Sequence, residues 1–378
     1  MASEFDIAIC GAGPVGMTLA LLLVKRGVPP ERIVLIDAKT LEQVSADPRS
    51  IALSHGSRQL LEQAGAWPVA ANAIHQIHVS RSGHFGRTLI DRREHGVPAL
   101  GYVTRYGQLV SVLAGAVERA GVQVMRPVQV AASSEGTEEV ELQLDDETRL
   151  TASILVQAEG GVFSTQGAKA QRRDYDQIAI VAHVRASAPI PERAYERFTD
   201  EGPLALLPQD DGYALVWCAR PESIEGLIGL PDAAFLEALG TAFGARLGRF
   251  THVSQRNTFP LGLNAGAPAS ARTVAIGNAA QTLHPVAGQG LNLGLRDAAV
   301  LARLLARDAT PAALERFVLE QRDDRRLTIQ LTDTMARIFA SAPAGSATQG
   351  LLGLSLSLFD VLRPAKRLLA EQMMYGRR

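Results

Sequence analysis

The chain has 378 residues, of which 47% are hydrophobic and 20% are charged, so it is long enough for two hydrophobic cores and is not disordered. Its 38 basic and 39 acidic residues give a net charge of -1 at pH 7. Because no basic stripe with interleaved aromatic residues occurs, we expect no nucleic-acid partner.

Cysteine usage and the distribution of apolar residues indicate where the protein works. Cys10 and Cys218 lie far apart and have no neighbouring group of metal ligands, which argues against disulfides and against a zinc site. No basic segment opens the N-terminus, and no apolar run reaches the roughly 18 residues that a membrane span needs. We therefore expect a cytoplasmic protein, with contact to the inner face of the cytoplasmic membrane left open.

A strand, a helix and a second strand are predicted within the first forty residues, at Phe5–Cys10, Val15–Arg26 and Arg32–Ile36. The segment Gly11-Ala12-Gly13-Pro14-Val15-Gly16 joins the first strand to the helix, and Asp37 follows the second strand. Strand, glycines, helix, strand and terminal acid in this order are typical of a dinucleotide-binding unit. Only one such unit occurs in the chain.

Each residue of this unit has a predicted role. Gly11 permits a tight turn, Gly13 lets a phosphate approach the backbone, and Gly16 packs the helix against the strand. Pro14 lies at the start of the helix, and Asp37 accepts hydrogen bonds from ribose hydroxyls. The alternative is a turn in an α/β fold that binds no nucleotide.

A second glycine-rich segment follows the predicted strand Val274–Ile276. The strand ends at Gly277-Asn278, and after a loop with Gly288 and Gly290 a helical pattern runs from Leu291 to Ala306. The first turn of this helix carries no acidic side chain. Its N–H groups and the positive end of its dipole therefore suit a ligand that holds negative charge, as a reduced flavin does. A tight strand-to-helix connection is the alternative.

The phrase Gly277-Asn278-Ala279-Ala280-Gln281-Thr282-Leu283-His284-Pro285, with Gly288-Gln289-Gly290 after it, resembles the second flavin-contacting motif of the FAD-dependent aromatic hydroxylases. These enzymes are the single-component flavoprotein monooxygenases. Asn278 stands where that motif has Asp, and Gln281 stands where it has His. Within the family the phrase looks like the ubiquinone-biosynthesis branch, and the resemblance implies flavin contacts that extend to Leu291 and Asn292.

Three polar residues are implied by the resemblance to lie beside the flavin cofactor. Arg49 belongs to Arg-Ser-Ile-Ala-Leu, which is similar to the family's Arg-Ala-Ile-Ala-Leu, and an Arg there suits a pyrophosphate or ribityl oxygen. Arg105 and Gln108 stand at the start of a predicted helix, where the family has an Arg and a Gln. Solvent exposure is the alternative for each of them.

The middle of the chain carries the resemblance further. Glu159-Gly160 stands where the family has Asp-Gly, a motif placed between the flavin and nicotinamide sites, so the carboxylate is one methylene farther from the backbone. Glu196-Arg197-Phe198-Thr199 and the segment from Gly202 to Pro208 are similar to the ubiquinone branch. Apolar side chains there suggest an aromatic substrate site, for which core packing is the alternative. The candidates are Phe198, Leu206, Pro208 and Trp217.

The resemblance implies an α/β fold with a Rossmann-like FAD-binding domain of the glutathione-reductase type, an inserted β-sheet substrate domain and C-terminal helices. We expect FAD to be bound by residues 1–73, 101–168 and 261–340, substrate by residues 74–100 and 169–260, and a helical segment at 341–378. Apolar residues in 351–362, followed by Arg363, Lys366 and Arg367, suit a helix on an anionic membrane surface. Packing of that helix on its own protein is the alternative.

The implied reaction is hydroxylation of 2-polyprenyl-6-methoxyphenol to 2-polyprenyl-6-methoxy-1,4-benzoquinol in ubiquinone biosynthesis. Tightly bound, non-covalent FAD would be reduced by NADPH or NADH, and O2 would form a flavin C4a-hydroperoxide that transfers one oxygen atom. Because the cofactor supplies this chemistry, no acid–base residue is assigned, and Pro285 and Gly288 are implied to position the reactants near C4a.

The implied partners are the polyprenylated phenol and other proteins of ubiquinone biosynthesis. Two further functions stay open for the chain. It could be another FAD-dependent phenol hydroxylase, or a non-catalytic FAD-binding scaffold subunit of the same pathway that lost turnover through the change at Glu159.

We predict that Glu159→Asp leaves FAD bound and makes NADPH oxidation equal or faster. The shorter side chain restores the carboxylate position of the family motif, and a displacement of about 1 Å near reacting groups can lower rates about a hundredfold. FAD content and NADPH oxidation of the purified variant measure the effect. Loss of FAD from the variant would contradict the role assigned to this position.

Overall fold

The computed structural model describes residues 3–82, 87–159, 171–265, 269–282, 288–322, 324–325 and 363–376. The α-helices in these ranges are α1 (Pro14–Lys25), α2 (Leu41–Ser45), α3 (His55–Gln63), α4 (Tyr106–Ala120), α5 (Pro221–Ile228), α6 (Asp232–Phe243), α7 (Gln289–Leu305), α8 (311–322) and α9 (Arg363–Tyr375). The strands are β1 (Phe5–Cys10), β2 (Ile33–Ile36), β3 (Ser50–Ser54), β4 (Asn72–Ile74), β5 (Gln76–Arg81), β6 (Arg87–Asp91), β7 (Gly101–Arg105), β8 (Gln123–Met125), β9 (Val130–Glu135), β10 (Val140–Leu144), β11 (Arg149–Gln157), β12 (Gln171–Ala186), β13 (Arg193–Phe198), β14 (Pro203–Gln209), β15 (Gly212–Ala219), β16 (Phe250–Val253), β17 (Asn257–Ala265), β18 (Thr273–Ala275) and β19 (Gln281–Thr282).

A seven-stranded sheet has the order β8-β2-β1-β11-β10-β9, with β18 also paired to β11. The strands β8, β2, β1, β11 and β18 run parallel, whereas β9, β10 and β11 form an antiparallel meander. The all-apolar strand Ile33–Ile36 is buried along its whole length, as expected for a parallel strand covered on both faces.

Helices cover one face of this sheet, and the meander contributes to the apolar cluster on the other. The largest core cluster joins α1, α4 and α7 to β1 and β11, through residues such as Leu19, Leu113 and Leu301. A second cluster joins Phe5 and Ala8 of β1 to strands of the meander. The parallel strands therefore have a fixed position between two apolar layers.

A nine-stranded sheet has the order β19-β17-β12-β15-β14-β13-β5-β6, with β16 also paired to β12. It is antiparallel except for the parallel pair β13 and β5. One face packs against α5 and α6, where Trp217 lies 5.9 Å from Phe235 and Tyr195 lies 5.3 Å from Phe243 between ring centroids. This face is filled by side chains of the protein itself.

A three-stranded sheet with the order β3-β7-β4 joins the two larger sheets. Ile74 of β4 and Val103 of β7 form an apolar cluster with Ala194 of β13, and Leu207 of β14 packs against it. The second face of the nine-stranded sheet therefore faces β3 and β7. We call the face with Ala194 and Leu207 the site face.

The described part of the C-terminal segment packs on the protein itself. Ala370 and Met374 of α9 form an apolar cluster with Ile90 and Leu100. Residues 351–362 lie outside the described residues. In the ranges that the structure describes, no helix combines the length and apolar character required to span a bilayer.

The predicted α/β fold is confirmed, and most predicted elements differ from the observed ones by one or two residues at their ends. The helix expected at Val15–Arg26 is Pro14–Lys25, and the helix expected from Leu291 begins at Gln289. The three-stranded sheet and α5 were not predicted, because short strands and an eight-residue helix carry little periodic signal.

We predict that Gly294→Ala lowers the free energy of unfolding by about 1–3 kcal/mol, the usual cost of overpacking. A Cβ atom at Gly294 would lie 2.8 Å from Cγ2 of Val15 and 3.1 Å from Cα of Gly277, so α7 would have to move away from α1. Urea unfolding and FAD content after purification measure the change. Gly240→Ala in α6 is the control, because its Cβ would meet no atom within 4 Å and should raise stability by up to about 1 kcal/mol. Equal stability of the two variants would contradict the predicted clash.

Candidate active site

Four of the predicted cofactor-binding segments follow the carboxyl ends of neighbouring parallel strands. Gly11 follows β1, Asp37 follows β2, Glu159 lies just beyond β11, and Gly277 lies just beyond β18. Register fixes this arrangement, since Cys10 is paired with both Ile36 and Gln157, and Gln157 is paired with Ala275. The ends of parallel strands share one sheet edge, which is where open α/β sheets bind ligands.

The turn at Gly11 has no room for a side chain. Its φ is +103°, and a Cβ would lie 2.7 Å from the carbonyl carbon of Ala158 and 2.8 Å from the nitrogen of Glu159. A Cβ on Gly16 would collide with the carbonyl oxygen of Gly11. The tight turn at Gly11 and the close packing at Gly16 are therefore present as predicted.

Two helices begin at this sheet edge with open N-termini. The N-cap residues are Gly13 for α1 and Gly288 for α7; neither helix has an acidic residue in its first turn, and no described side chain caps either end. Backbone N–H groups at such ends bind anions, and the helix dipole adds favourable potential. These two ends fit the pyrophosphate and the anionic reduced ring of a flavin dinucleotide.

The two helix N-termini are held together by glycine contacts around Val15. Gly277 has a φ of +59°, and its Cβ would lie 3.3 Å from Cγ2 of Val15. Asn278 lies beside the start of α7, since a Cβ on Gly290 would be 3.8 Å from Oδ1 of Asn278. The two glycine motifs thus lie next to each other, and their binding of one extended cofactor stays a prediction.

Asn292 connects α7 to β3 through its side-chain amide. Its Oδ1 accepts from the backbone N of Ser54 at 2.8 Å, and its Nδ2 donates to the carbonyl oxygens of Ala52 at 3.0 Å and Gly288 at 2.7 Å. Asn292 is 2% exposed. The side chain is therefore occupied by main-chain partners, which leaves its backbone for the flavin contact implied by the resemblance. Gln289, Gly290 and Leu291 complete the first turn.

The carboxylate of Asp37 organises the glycine turn. It accepts from the backbone N of Ala12 at 2.8 Å and from that of Lys39 at 2.9 Å, so the turn is formed in the protein alone. Arg126, which follows β8, lies 3.8 Å from this carboxylate and donates to the carbonyl oxygen of Ala12. Its buried Nη1 has no hydrogen-bond partner among the described residues.

Glu159 is half-buried at the same edge of the sheet. Burial, and then the negative charge of Asp37, raise the pKa of its carboxyl. The pKa of the Cys10 thiol is raised to about 12, mainly by burial and secondly by the Glu159 carboxylate. Glu159 therefore lies near the Asp37 end of the site, and the like charges oppose its ionisation.

Arg49 lies between two aromatic rings that face the site. Its guanidinium is 5.2 Å from the ring centroid of Tyr106 and 5.5 Å from that of Phe259, and it forms an ion pair with Asp47 at 2.6 Å. Tyr106 adjoins the first motif, since a Cβ on Gly13 would be 3.4 Å from its hydroxyl. Arg49 thus lies near the N-terminus of α1, and its contact with a phosphate stays a prediction.

Arg105 and Gln108 lie at the start of α4 and are both exposed. The guanidinium of Arg105 forms an ion pair with Asp210 at 2.7 Å, in which both side chains are about half exposed. Such exposed pairs contribute little to stability, so the arginine is able to exchange partners. Gly160 and Pro285, which were also predicted as site residues, lie outside the described residues.

The four predicted substrate residues are divided between the two faces of the nine-stranded sheet. Leu206 and Trp217 belong to the core cluster with α5 and α6, and Pro208 is two residues beyond Leu206 on the same strand face. Leu206 and Trp217 therefore follow the core-packing alternative, and Pro208 is buried on the same face. Phe198 is fully buried and alternates with Tyr195 and Arg197, so it lies on the site face.

Glu196 also lies on the site face, because it alternates with Tyr195, which packs against Phe243 on the other face. Glu196 keeps part of its surface accessible, and burial raises the pKa of its carboxyl to about 8. Within the described ranges, its carboxyl has no hydrogen bond or ion pair.

Several residues of the site were not predicted from the sequence. Asp297 accepts from the backbone N of Gly277 at 3.2 Å and pairs with Arg325 at 2.9 Å, so it fixes the second glycine turn from the middle of α7. Burial raises the pKa of this fully buried carboxyl. An acid on the apolar stripe of a helix was the available signal for Asp297. For Arg126, the signal was its position directly after a strand.

The chain is similar in sequence to an FAD-binding family and to ubiquinone hydroxylases. The model of the FAD binding domain family matches residues 4–332. Ubiquinone hydroxylase UbiL of Rhodospirillum rubrum is 30% identical over 387 residues, which cover 98% of this chain and 89% of that protein. The 3-demethoxyubiquinol 3-hydroxylase of Escherichia coli is 30% identical over 313 residues, which cover 79% of each. The structure of p-nitrophenol 4-monooxygenase PnpA from Pseudomonas putida superposes with a TM-score of 0.79 at 16% identity over 100% of both chains, and this likeness shows the fold.

We predict that the stability of the protein relative to Glu196→Gln falls as the pH rises from about 5 to about 8. The folded-state pKa of about 8 lies above the unfolded value near 4.3, so the folded state binds the proton more tightly than the unfolded state does. Protonation of Glu196 therefore stabilises the folded protein at low pH, and this stabilisation is lost as the pH rises towards the folded-state pKa. Tm values of both proteins across this range measure the difference. The exposed Glu225→Gln in α5 is the control and should show a flat difference. A flat difference for Glu196→Gln as well would contradict the burial of its carboxyl.

Proposed function

This chain belongs to the FAD binding domain family, in the branch of the ubiquinone-biosynthesis hydroxylases, and from this premise we propose that it is an FAD-dependent monooxygenase that hydroxylates a polyprenylated phenol. The observation that carries the proposal is the convergence of two open helix N-termini at one sheet edge, held by Gly277, Gly294 and Val15. One extended cofactor with two electron-rich ends suits this arrangement.

The described residues fit FAD because the turn at Gly11 has no room for a Cβ, and because α1 and α7 both begin without a side-chain cap or an acidic residue in the first turn. Asp37 would hold the adenosine ribose, and Gly13 with the first turn of α1 would bind the pyrophosphate, assisted by Arg49. The first turn of α7 would lie at the pyrimidine edge of the flavin, with Asn278 as a neutral hydrogen-bonding group. Gly160 and Pro285 complete the proposed set of contacts.

FAD supplies the redox chemistry when it is bound: it accepts a hydride from NADPH or NADH and activates O2. The overall reaction consumes one phenol, one O2, one NAD(P)H and one proton, and it yields one hydroxylated ring, one NAD(P)+ and one water. The positive end of the α7 dipole stabilises negative charge at the flavin ring. The remaining task of the chain is to orient the phenol and exclude water.

We propose 2-polyprenyl-6-methoxyphenol as the substrate and 2-polyprenyl-6-methoxy-1,4-benzoquinol as the product. The motifs quoted above from Gly277 to Gly290 and from Glu196 to Pro208 support this branch. Ring hydroxylation at a different position is the alternative, as the name of the Escherichia coli relative indicates for that enzyme. In this proposal residues 1–73, 101–168 and 261–340 bind FAD, residues 74–100 and 169–260 bind substrate, and residues 341–378 are a C-terminal segment.

A second candidate function is a non-catalytic, FAD-binding subunit in the same pathway. The observation that favours it is Glu159, whose carboxyl lies close enough to Asp37 for the two charges to interact. A longer side chain at this position increases like-charge repulsion beside the proposed ribose site.

We predict that the purified protein is yellow and that a short-chain 2-prenyl-6-methoxyphenol stimulates its oxidation of NADPH or NADH. Mass spectrometry should find one oxygen atom from isotopically labelled O2 in the product. A matched assay with the ring-saturated cyclohexanol analogue is the control, because it lacks an electron-rich ring. A yellow protein that forms no hydroxylated product at any pH would support the scaffold function, and a protein that cannot bind FAD would contradict both.

A further inference from the structure

A row of half-buried residues crosses five strands on the site face of the nine-stranded sheet. Strand pairing makes these residues neighbours in the order Val79, Glu196, Ala205, Val216 and Val181, and we call them the Glu196 row. Each of them keeps part of its surface accessible, whereas the core face of the same strands is buried against α5 and α6. The row is apolar apart from one carboxyl.

The Glu196 row lies on the face of the sheet that meets the three-stranded sheet and Arg49. On one side of it, Ala194 and Leu207 pack against Ile74 and Val103 of the three-stranded sheet. On its other side, Phe259 stacks with the guanidinium of Arg49. The row therefore lies between two contacts that join the sheet to the FAD-binding half of the chain.

The surroundings of Glu196 are unusual for a structural carboxyl. A buried carboxyl normally has hydrogen-bond donors or a cation, because leaving it unpaired costs free energy. In the described ranges Glu196 has neither, yet its surface is partly accessible. The titratable group beside it is the buried thiol of Cys218 on β15, whose pKa is raised by burial and then by the Glu196 carboxylate. An accessible but unpaired carboxyl on an apolar wall is typical of a ligand site.

We propose that the carboxyl of Glu196 binds the phenolic hydroxyl of the substrate and accepts its proton as the ring is hydroxylated, while Val79, Ala205, Val216 and Val181 contact the ring and its apolar substituents. This inference rests on the proposed hydroxylation of a phenol. It adds an acid–base residue to a site for which none was assigned from the sequence.

The proton transfer is balanced by one bond broken and one formed. The O–H bond of the phenol breaks, an O–H bond forms on Glu196, and the electron pair stays on the phenolate oxygen. That charge is delocalised to the ortho and para carbons of the ring, which become more nucleophilic toward the oxygen atom delivered from O2. A ring hydroxylated para to the hydroxyl is the 1,4-quinol of the proposed function.

The acidity of Glu196 is suited to this task. Burial raises the pKa of its carboxyl to about 8, which lies between the usual value of a carboxyl and the value near 10 of a phenol. A base with a pKa near the working pH combines a sufficient fraction of its ionised form with a strong tendency to take the proton. An ordinary surface glutamate would be a much weaker base.

The first experiment measures binding to the FAD-loaded protein. Dissociation constants are determined for 2-prenyl-6-methoxyphenol and for its O-methyl ether, which has no hydroxyl proton. We expect the native protein to bind the phenol about tenfold more tightly than the ether, as one hydrogen bond to a carboxyl allows. Glu196→Ala should remove this preference, and Glu225→Gln on the surface of α5 should retain it.

The second experiment measures the rate of quinol formation against pH. In the native protein the rate should rise as Glu196 ionises near pH 8, whereas Glu196→Gln should show no such rise and a rate at least about a hundredfold lower. FAD content should be unchanged in Glu196→Gln, because Glu196 belongs to neither glycine turn. Since hydroxylation is slower in this variant, the NADPH consumed per quinol formed should increase.

The outcomes separate this proposal from the proposed function. Quinol formation by Glu196→Gln with the native rate and pH profile, or equal phenol preference in Glu196→Ala, would overturn the role of Glu196 and leave the hydroxylase intact. A native protein without quinol formation would overturn the proposed function. The binding preference would then still decide whether Glu196 recognises a phenolic hydroxyl.

Discussion

The contact between the N-terminal ends of α1 and α7 determines the geometry of the candidate site. It depends on two positions without side chains, Gly277 and Gly294, which admit Val15 between them. Asp297 secures the same region from within α7, since it holds the backbone N of Gly277 and pairs with Arg325. Both helix ends are positive at their termini, so they would stabilise an anionic ligand bound between them.

Negative charge at the cofactor edge is distributed unevenly. Asp37 accepts a hydrogen bond from the backbone N of Ala12 in the glycine turn. Glu159 lies close enough to Asp37 for the negative charge of Asp37, together with burial, to disfavour ionisation of the Glu159 carboxyl. At the α7 end, Asn278 is neutral, and no acidic residue occurs in the first turn. The end of the site near Asp37 therefore carries the acids, and the first turn of α7 carries none, which suits a ligand with negative charge at the α7 end.

The two faces of the nine-stranded sheet differ in the size and the burial of their side chains. The core face buries large aromatic residues against α5 and α6, where Trp217, Phe235 and Phe243 fill the available volume. The site face instead carries small, half-buried residues such as Ala205 and Val216. Because packing of the core face against α5 and α6 stabilises the sheet, half-buried residues of the site face are available to contact a ligand.

The sequence by itself determined the first strand-helix-strand unit, the second glycine turn and most strands of both sheets, because glycine positions and apolar periodicity are local properties. It also identified Glu159 as a departure from the family motif. Alternation along a strand showed which residues share a face, but the face that turns toward the cofactor was decided by packing against α5, α6 and the three-stranded sheet. For this reason Leu206 and Trp217 lie in a core, and Glu196 lies on the opposite face of the sheet. The partners of Arg126, Asn292 and Asp297 were likewise settled only by tertiary structure, since each bonds to a segment distant in the chain.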